Sequence, residues 1–243
     1  MTNSEVLIFE LYDLFRQRHA EVRRYIALTE FISSNRITAL TRAEGGPAHP
    51  AEDFPLSREL TKTLRANAYL LLYNFVEATM TNAIDTIHKT VDSDNLGFDG
   101  LSRDLQNIAL NHFKRALRDN NAQALDDRVH PIEIAITKLG YNKNQIFSGN
   151  VDCREIRLTA VKYGFKSPDP NLKGRNILRQ IKDVKDKRNA LAHGRLSFEQ
   201  CGHDVSPEYL AKVSYETAVY LRSVLWSVSY YLRQRTYAAA LPG

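Results

Sequence analysis

The stretch RNALAHG (Arg188 to Gly194) sets a permanent cation five residues before a titratable imidazole. A guanidinium stays charged at any physiological pH and can hold two phosphate oxygens at once. An imidazole, with a reference pKa of about 6.5, can take up or release a proton close to neutrality. Anion binding and proton transfer are thus both available from one short motif. Arg188 is conspicuous for a second reason. Ile177, Ile181, Val184, Arg188 and Leu191 are spaced 4, 3, 4 and 3 residues apart, which is a single seam on a helix, and only Arg188 is charged. A guanidinium on an inward seam costs stability unless it is paired or faces a wet cleft. It can snorkel, form a structural ion pair, or serve a site.

On a continuous helix His193 lies about 140° around from Arg188, so the two would not share a face. Gly194 follows at once and can end the helix in the left-handed conformation, leaving His193 where the chain unwinds and can be re-aimed. Two other arrangements remain open. His193 can be a simple helix C-cap, or Arg188 of one chain can meet His193 of a second copy.

Other chemistry has little support. There is no HExxH, no CxxC and no glycine-rich phosphate loop. The histidines at 19, 49, 88, 112, 130 and 203 have no ligand spacing, so no metal and no cofactor is expected. Cys201-Gly202-His203-Asp204 reads as a polar loop, because adjacent side chains rarely converge as a catalytic dyad needs. The two cysteines, Cys153 and Cys201, read as reduced thiols. The chain has 43% hydrophobic and 25% charged residues, the balance of a globular protein. The opening segment carries Glu5, Glu10 and Asp13 among its apolar residues, unlike a secretory leader. No apolar run reaches the roughly 20 residues that cross a bilayer. A cytoplasmic protein with no membrane partner is expected.

Net charge is only +5, yet between Lys173 and Arg195 eight basic residues face two acidic ones. That excess is either a solvated face or an attraction for polyanions. Lys185, Lys187 and Arg195 flank the motif as candidate contacts to a phosphate backbone.

These residues need a scaffold, and nearly every long segment has helical period. A first helix covers about Glu5 to Ile32, with Leu7, Leu11, Leu14 and Phe15 on one face. Residues 43–55 hold two glycines and three prolines, which makes a loop. Ser57 caps a long helix to about Val91 whose broad apolar face suits the centre of a bundle. A third helix spans about Leu101 to Leu117. Residues 119–150 stay unassigned, since Ile132, Ile134 and Ile136 fit a strand or a turn of helix. Asp152 caps a short helix over 153–163, ending at Gly164. After a Pro-rich break at 166–173, a helix runs from about Gly174 to Ala192. Ser206-Pro207 starts the last one, which reaches about Arg235. The expected fold is all-α: a bundle of four to five long helices in one domain over 1–243, with 119–173 an insert and its loops.

The motif and its setting resemble the HEPN superfamily. RNALAHG is similar to that superfamily's Arg-x4-6-His signature, with the usual polar residue, Asn189, after the arginine. FSGNVDCREIRLTAVKYGF (Phe147 to Phe165) looks like the insert of the MAE-type branch of HEPN-like nucleases. The resemblance covers essentially the whole chain. It implies a metal-independent endoribonuclease that acts as a homodimer on RNA, commonly as a toxin in bacterial toxin–antitoxin or phage-defence systems, with an antitoxin or defence protein as partner. On that basis Arg188 would stabilise the phosphate, His193 would transfer protons, and Asn189 would orient one of them or the phosphate. Some HEPN proteins hold the motif arginine with an acid on the second helix, a role open to Glu77. Its helical angle, opposite the main apolar stripe, points to the surface instead. The alternative is a non-catalytic HEPN module that binds a nucleotidyltransferase or another defence partner. In some such pairs the motif continues His-x-Tyr, whereas Arg195 stands at that position here.

Overall fold

Serine hydroxyls start three of the helices. Ser57, Ser197 and Ser206 each accept a backbone N–H three residues on, from Leu60, Gln200 and Tyr209. The computed structural model describes residues 2–41, 53–118, 136, 141–143, 146–147, 149–170 and 176–239. Among them lie seven α-helices: α1 (Asn3–Ser34), α2 (Arg58–Ser93), α3 (Arg103–Arg118), α4 (Cys153–Tyr163), α5 (Ile177–Ala192), α6 (Phe198–His203) and α7 (Pro207–Arg233). The fold is all-α, as expected, and five of these helices are long. No described helix is long and apolar enough to cross a membrane.

Helix α2 is the hub. Tyr69, Leu72, Tyr73, Phe75, Val76, Met80, Ala83, Ile84 and Ile87 are all buried along it, wrapping most of its circumference in apolar contact. It packs against α1, α5, α6 and α7, and α7 closes back on α1 and α5. Helix α4 is wedged between α3 and α5, so the inserted segment touches the helix that carries the motif.

The sequence reading needs correction in places. On α1 the buried stripe is Ile8, Leu11, Phe15, Val22 and Ile26, while Leu14 is exposed and Leu7 only partly covered. The helix carries apolar residues on more than one face, so period alone does not choose which face meets α2. The expected loop at 43–55 ends in a strand. Asp53–Pro55 (β2) pairs antiparallel with Ala39–Thr41 (β1), Leu40 opposite Phe54; residues 42–52 lie outside the described set, as do Ile132, Ile134, Lys173, Gly174 and Arg175. The polar loop at 201–204 is mostly helix: Ser197 and Gln200 form a reciprocal capping box at the start of α6.

Candidate phosphate-binding and proton-transfer site

Helix α5 inserts Ile177, Ile181, Val184 and Leu191 into the core, and Arg188 shares their seam. Its guanidinium lies over the Tyr73 ring of α2, 4.3 Å from the centroid, where the ring's electron-rich face attracts a cation. Nη1 donates to the Gly149 carbonyl at 3.3 Å and to Asn189 Oδ1 at 2.9 Å. These partners are neutral. Among the described residues no carboxylate pairs with the arginine.

The loop before α4 makes this possible. Gly149 has φ +74°, a conformation that glycine reaches without strain, and a Cβ added there would come within 3.3 Å of Nη1. Asn150 Oδ1 accepts from Asn189 Nδ2 at 3.3 Å, and the Val151 N–H donates to the Tyr73 hydroxyl at 3.1 Å. Asp152 closes the set. It accepts the Arg154 and Glu155 N–H groups to cap α4, and it pairs with Lys185. Burial would push the Asp152 carboxyl up, but Lys185 and the two N–H groups outweigh it and hold the carboxyl below its ordinary range. Burial raises the Tyr73 phenol, which stays neutral beside the guanidinium.

Two backbone hydrogen bonds end α5 as a Schellman motif. The Arg195 N–H donates to Ala190 O at 2.8 Å and the Gly194 N–H to Leu191 O at 3.1 Å, with Gly194 at φ +66°. His193 is therefore the C-cap, φ −98° and ψ 8°, and its side chain is exposed. This is the unwinding point the Gly194 position suggested. Among the described residues no side-chain hydrogen bond joins His193 to Arg188 or Asn189. Arg188 and Asn189 are bonded to each other, while His193 lies beyond them on the exposed end of the helix.

The flanking lysines divide. Lys185, expected to contact a phosphate backbone, is instead only 18% exposed and engaged by Asp152; the inserted loop brings a carboxylate to it that spacing could not reveal. Lys187 lines a cleft on the other side of α5, and Arg195 is exposed. Glu77 is partly buried on α2 near Tyr73, but Arg188 bonds to Gly149 and Asn189 rather than to it. Sequence reasoning missed Tyr73, Gly149 and Asn150. Tyr73 reads as one more core aromatic, and nothing local to Gly149 announces a partner 39 residues away.

Fold and site together define an α-helical bundle whose penultimate long helix stops on an Arg-x4-His turn, with an inserted loop clamped onto the arginine. A family model described as MAE_28990-like HEPN matches residues 9–237. The chain belongs to that HEPN family. No curated protein and no solved structure matches it.

Proposed function

We propose that this HEPN protein is a metal-independent endoribonuclease, a toxin of a bacterial toxin–antitoxin or phage-defence system that works as a homodimer. The observation that carries the reading is the state of Arg188: it is partly exposed at the end of α5, fixed by an aromatic face and two neutral oxygens. A guanidinium needed only for folding would be expected to end in an ion pair. One held by neutral groups keeps its full charge for an incoming phosphate.

RNA supplies its own nucleophile. His193 takes the proton of the 2′-hydroxyl, O2′ attacks the adjacent phosphorus, and the bond from phosphorus to O5′ breaks. The imidazolium so formed returns that proton to the leaving O5′. Arg188 stabilises the charge that builds on the non-bridging oxygens. Asn189 fixes the guanidinium plane, and Lys187 and Arg195 contact the flanking backbone. The products are a 2′,3′-cyclic phosphate and a 5′-hydroxyl.

The test compares wild type with Arg188→Ala and His193→Ala on end-labelled RNA in EDTA, alongside growth on expression. Cleavage by wild type alone, with cyclic-phosphate ends and all three proteins folded, is the expected result. Products with a 3′-hydroxyl, or full activity in either variant, would overturn the mechanism. A folded wild-type protein that cleaves no RNA would favour a non-catalytic module that binds a defence partner.

A further inference from the structure

On the side of α5 away from Gly149, a cleft of about 510 Å³ opens between α5, α6 and the start of α7, with α2 at its base. That volume is ordinary for a small-molecule site. Arg179, Asp183 and Lys187 lie four residues apart along α5, a row about 12 Å long on one helix face. Such a row usually closes into i,i+4 ion pairs. Here Asp183 accepts instead from the Tyr69 hydroxyl (3.4 Å), and its charge helps to raise the nearby Tyr209 phenol, after burial. The carboxylate is thereby held in a fixed orientation and still has lone pairs to offer, since it can accept about four hydrogen bonds.

Beside it lies the second observation. Gln180 is only 8% exposed and lines the same cleft, yet its Oε1 has no hydrogen-bond partner. A buried amide oxygen left without a donor costs free energy that a leucine of similar size would not. The cost is explained if a ligand brings the donor.

We propose that this cleft binds a single nucleotide whose base presents adjacent N–H donors, guanine before the others. Asp183 lines the cleft, and Gln180 Oε1, enclosed in its wall one helical turn away, becomes a second acceptor when the amide turns about its last side-chain bond. Guanine matches them with its N1–H and exocyclic amine side by side. Uracil offers a lone N3–H between two carbonyls, which the carboxylate repels. Arg179 and Lys187 supply the positive charge that a phosphate needs, and Tyr209, 39% exposed, offers a ring for stacking. The guanosine can be a free nucleotide or one residue of a single-stranded RNA. The chemistry of recognition is the same for both.

Gln180 and Asp183 lie outside the catalytic motif, so the site is tested by binding to full-length His193→Ala protein, in which cleavage does not consume the ligand. Titration calorimetry with 5′-GMP and 5′-UMP reads the free nucleotide. Fluorescence anisotropy of oligouridines with and without one internal guanosine reads the RNA source. GMP, the guanosine-containing oligonucleotide, or both should bind at least about tenfold more tightly than the uridine counterpart. Gln180→Leu, added to that protein, should raise Tm while weakening guanosine binding about tenfold or more, and Asp183→Asn should remove the preference for guanine over uracil. Equal binding of the guanine and uracil ligands, no binding of either at millimolar concentration, or a Gln180→Leu protein that binds as before would overturn the proposal. Cleavage by wild type and its loss in Arg188→Ala are read separately, so either conclusion can fail alone.

Discussion

At the scale of single residues, the site turns on how a cation can be immobile and yet uncommitted. The Tyr73 ring and the Gly149 and Asn189 oxygens solve this by fixing the guanidinium plane with dipoles and a π-face, none of which carries a formal charge. Gly149 is the sensitive member. Alanine at φ +74° costs about 1–2 kcal/mol, and its methyl would press on Nη1 at 3.3 Å. Gly149→Ala should therefore lower Tm by a few degrees while reducing RNA cleavage far more, by about tenfold or greater, because a transition-state donor has been displaced rather than removed. Thermal melts and initial cleavage rates on the same preparation check this. Equal activity in both proteins would mean that the loop merely covers α5.

At the scale of elements, the inserted segment acts as a brace, and its strongest fastening is Asp152. Its carboxylate caps α4 and holds Lys185 of α5 at the same time. Asp152→Ala loses a cap worth about 0.5–2 kcal/mol and also strands a mostly buried lysine. Asp152→Asn keeps the cap and loses only the charge, so urea midpoints should fall in the order wild type, Asn, Ala. A second seam joins α2, α3 and α4: His88 stacks on Tyr141 at 3.7 Å and bonds to the Tyr163 hydroxyl at 2.9 Å, with His112 6.0 Å away. Burial, helped by the charge of His112 and opposed by Asp85, pushes His88 down to about 3. The folded protein thus binds this proton less readily than the unfolded chain, so the stabilisation is complete above a pH of about 6.5 and declines as pH falls toward the folded value. Between pH 7.5 and 5 the loss should be about 1–2 kcal/mol, and it should shrink in His88→Gln, as denaturation at the two pH values would read. The legibility of these elements follows their physics. The cap at Asp152, the stop at Gly164, the start at Ser206-Pro207 and the unwinding at His193 are local backbone chemistry, and local sequence carries them. The clamp on Arg188 and the pairing of Lys185 are contacts over more than 30 residues, made by a loop with no periodicity to read. The capping box Ser197-Phe198-Glu199-Gln200 was legible in principle, but the six-residue helix that it starts is too short to show a period.

At the scale of the whole molecule, the open question is how many chains make one site, because a single chain keeps Arg188 on the core seam and His193 at the exposed end of the same helix. If each site takes its arginine from one copy and its histidine from the other, the two inactive variants complement each other. In a mixed dimer of Arg188→Ala and His193→Ala, one site receives both substitutions and the other receives neither. Equal mixing makes about half the dimers mixed, each with one intact site, so activity returns to about a quarter of wild type. If each chain builds its own site, every site in the mixture carries one substitution and nothing returns. The experiment requires subunit exchange, which co-expression of differently tagged variants and purification through both tags guarantees. Purified mixed dimers should then show about half the wild-type rate per dimer, one site of two. Rescue would assign Arg188 and His193 to opposite copies. Its absence, with both homodimers folded and dimeric by light scattering, would put the imidazole and guanidinium of one chain on the same phosphate, and would require the turn at Gly194 to swing His193 back along α5.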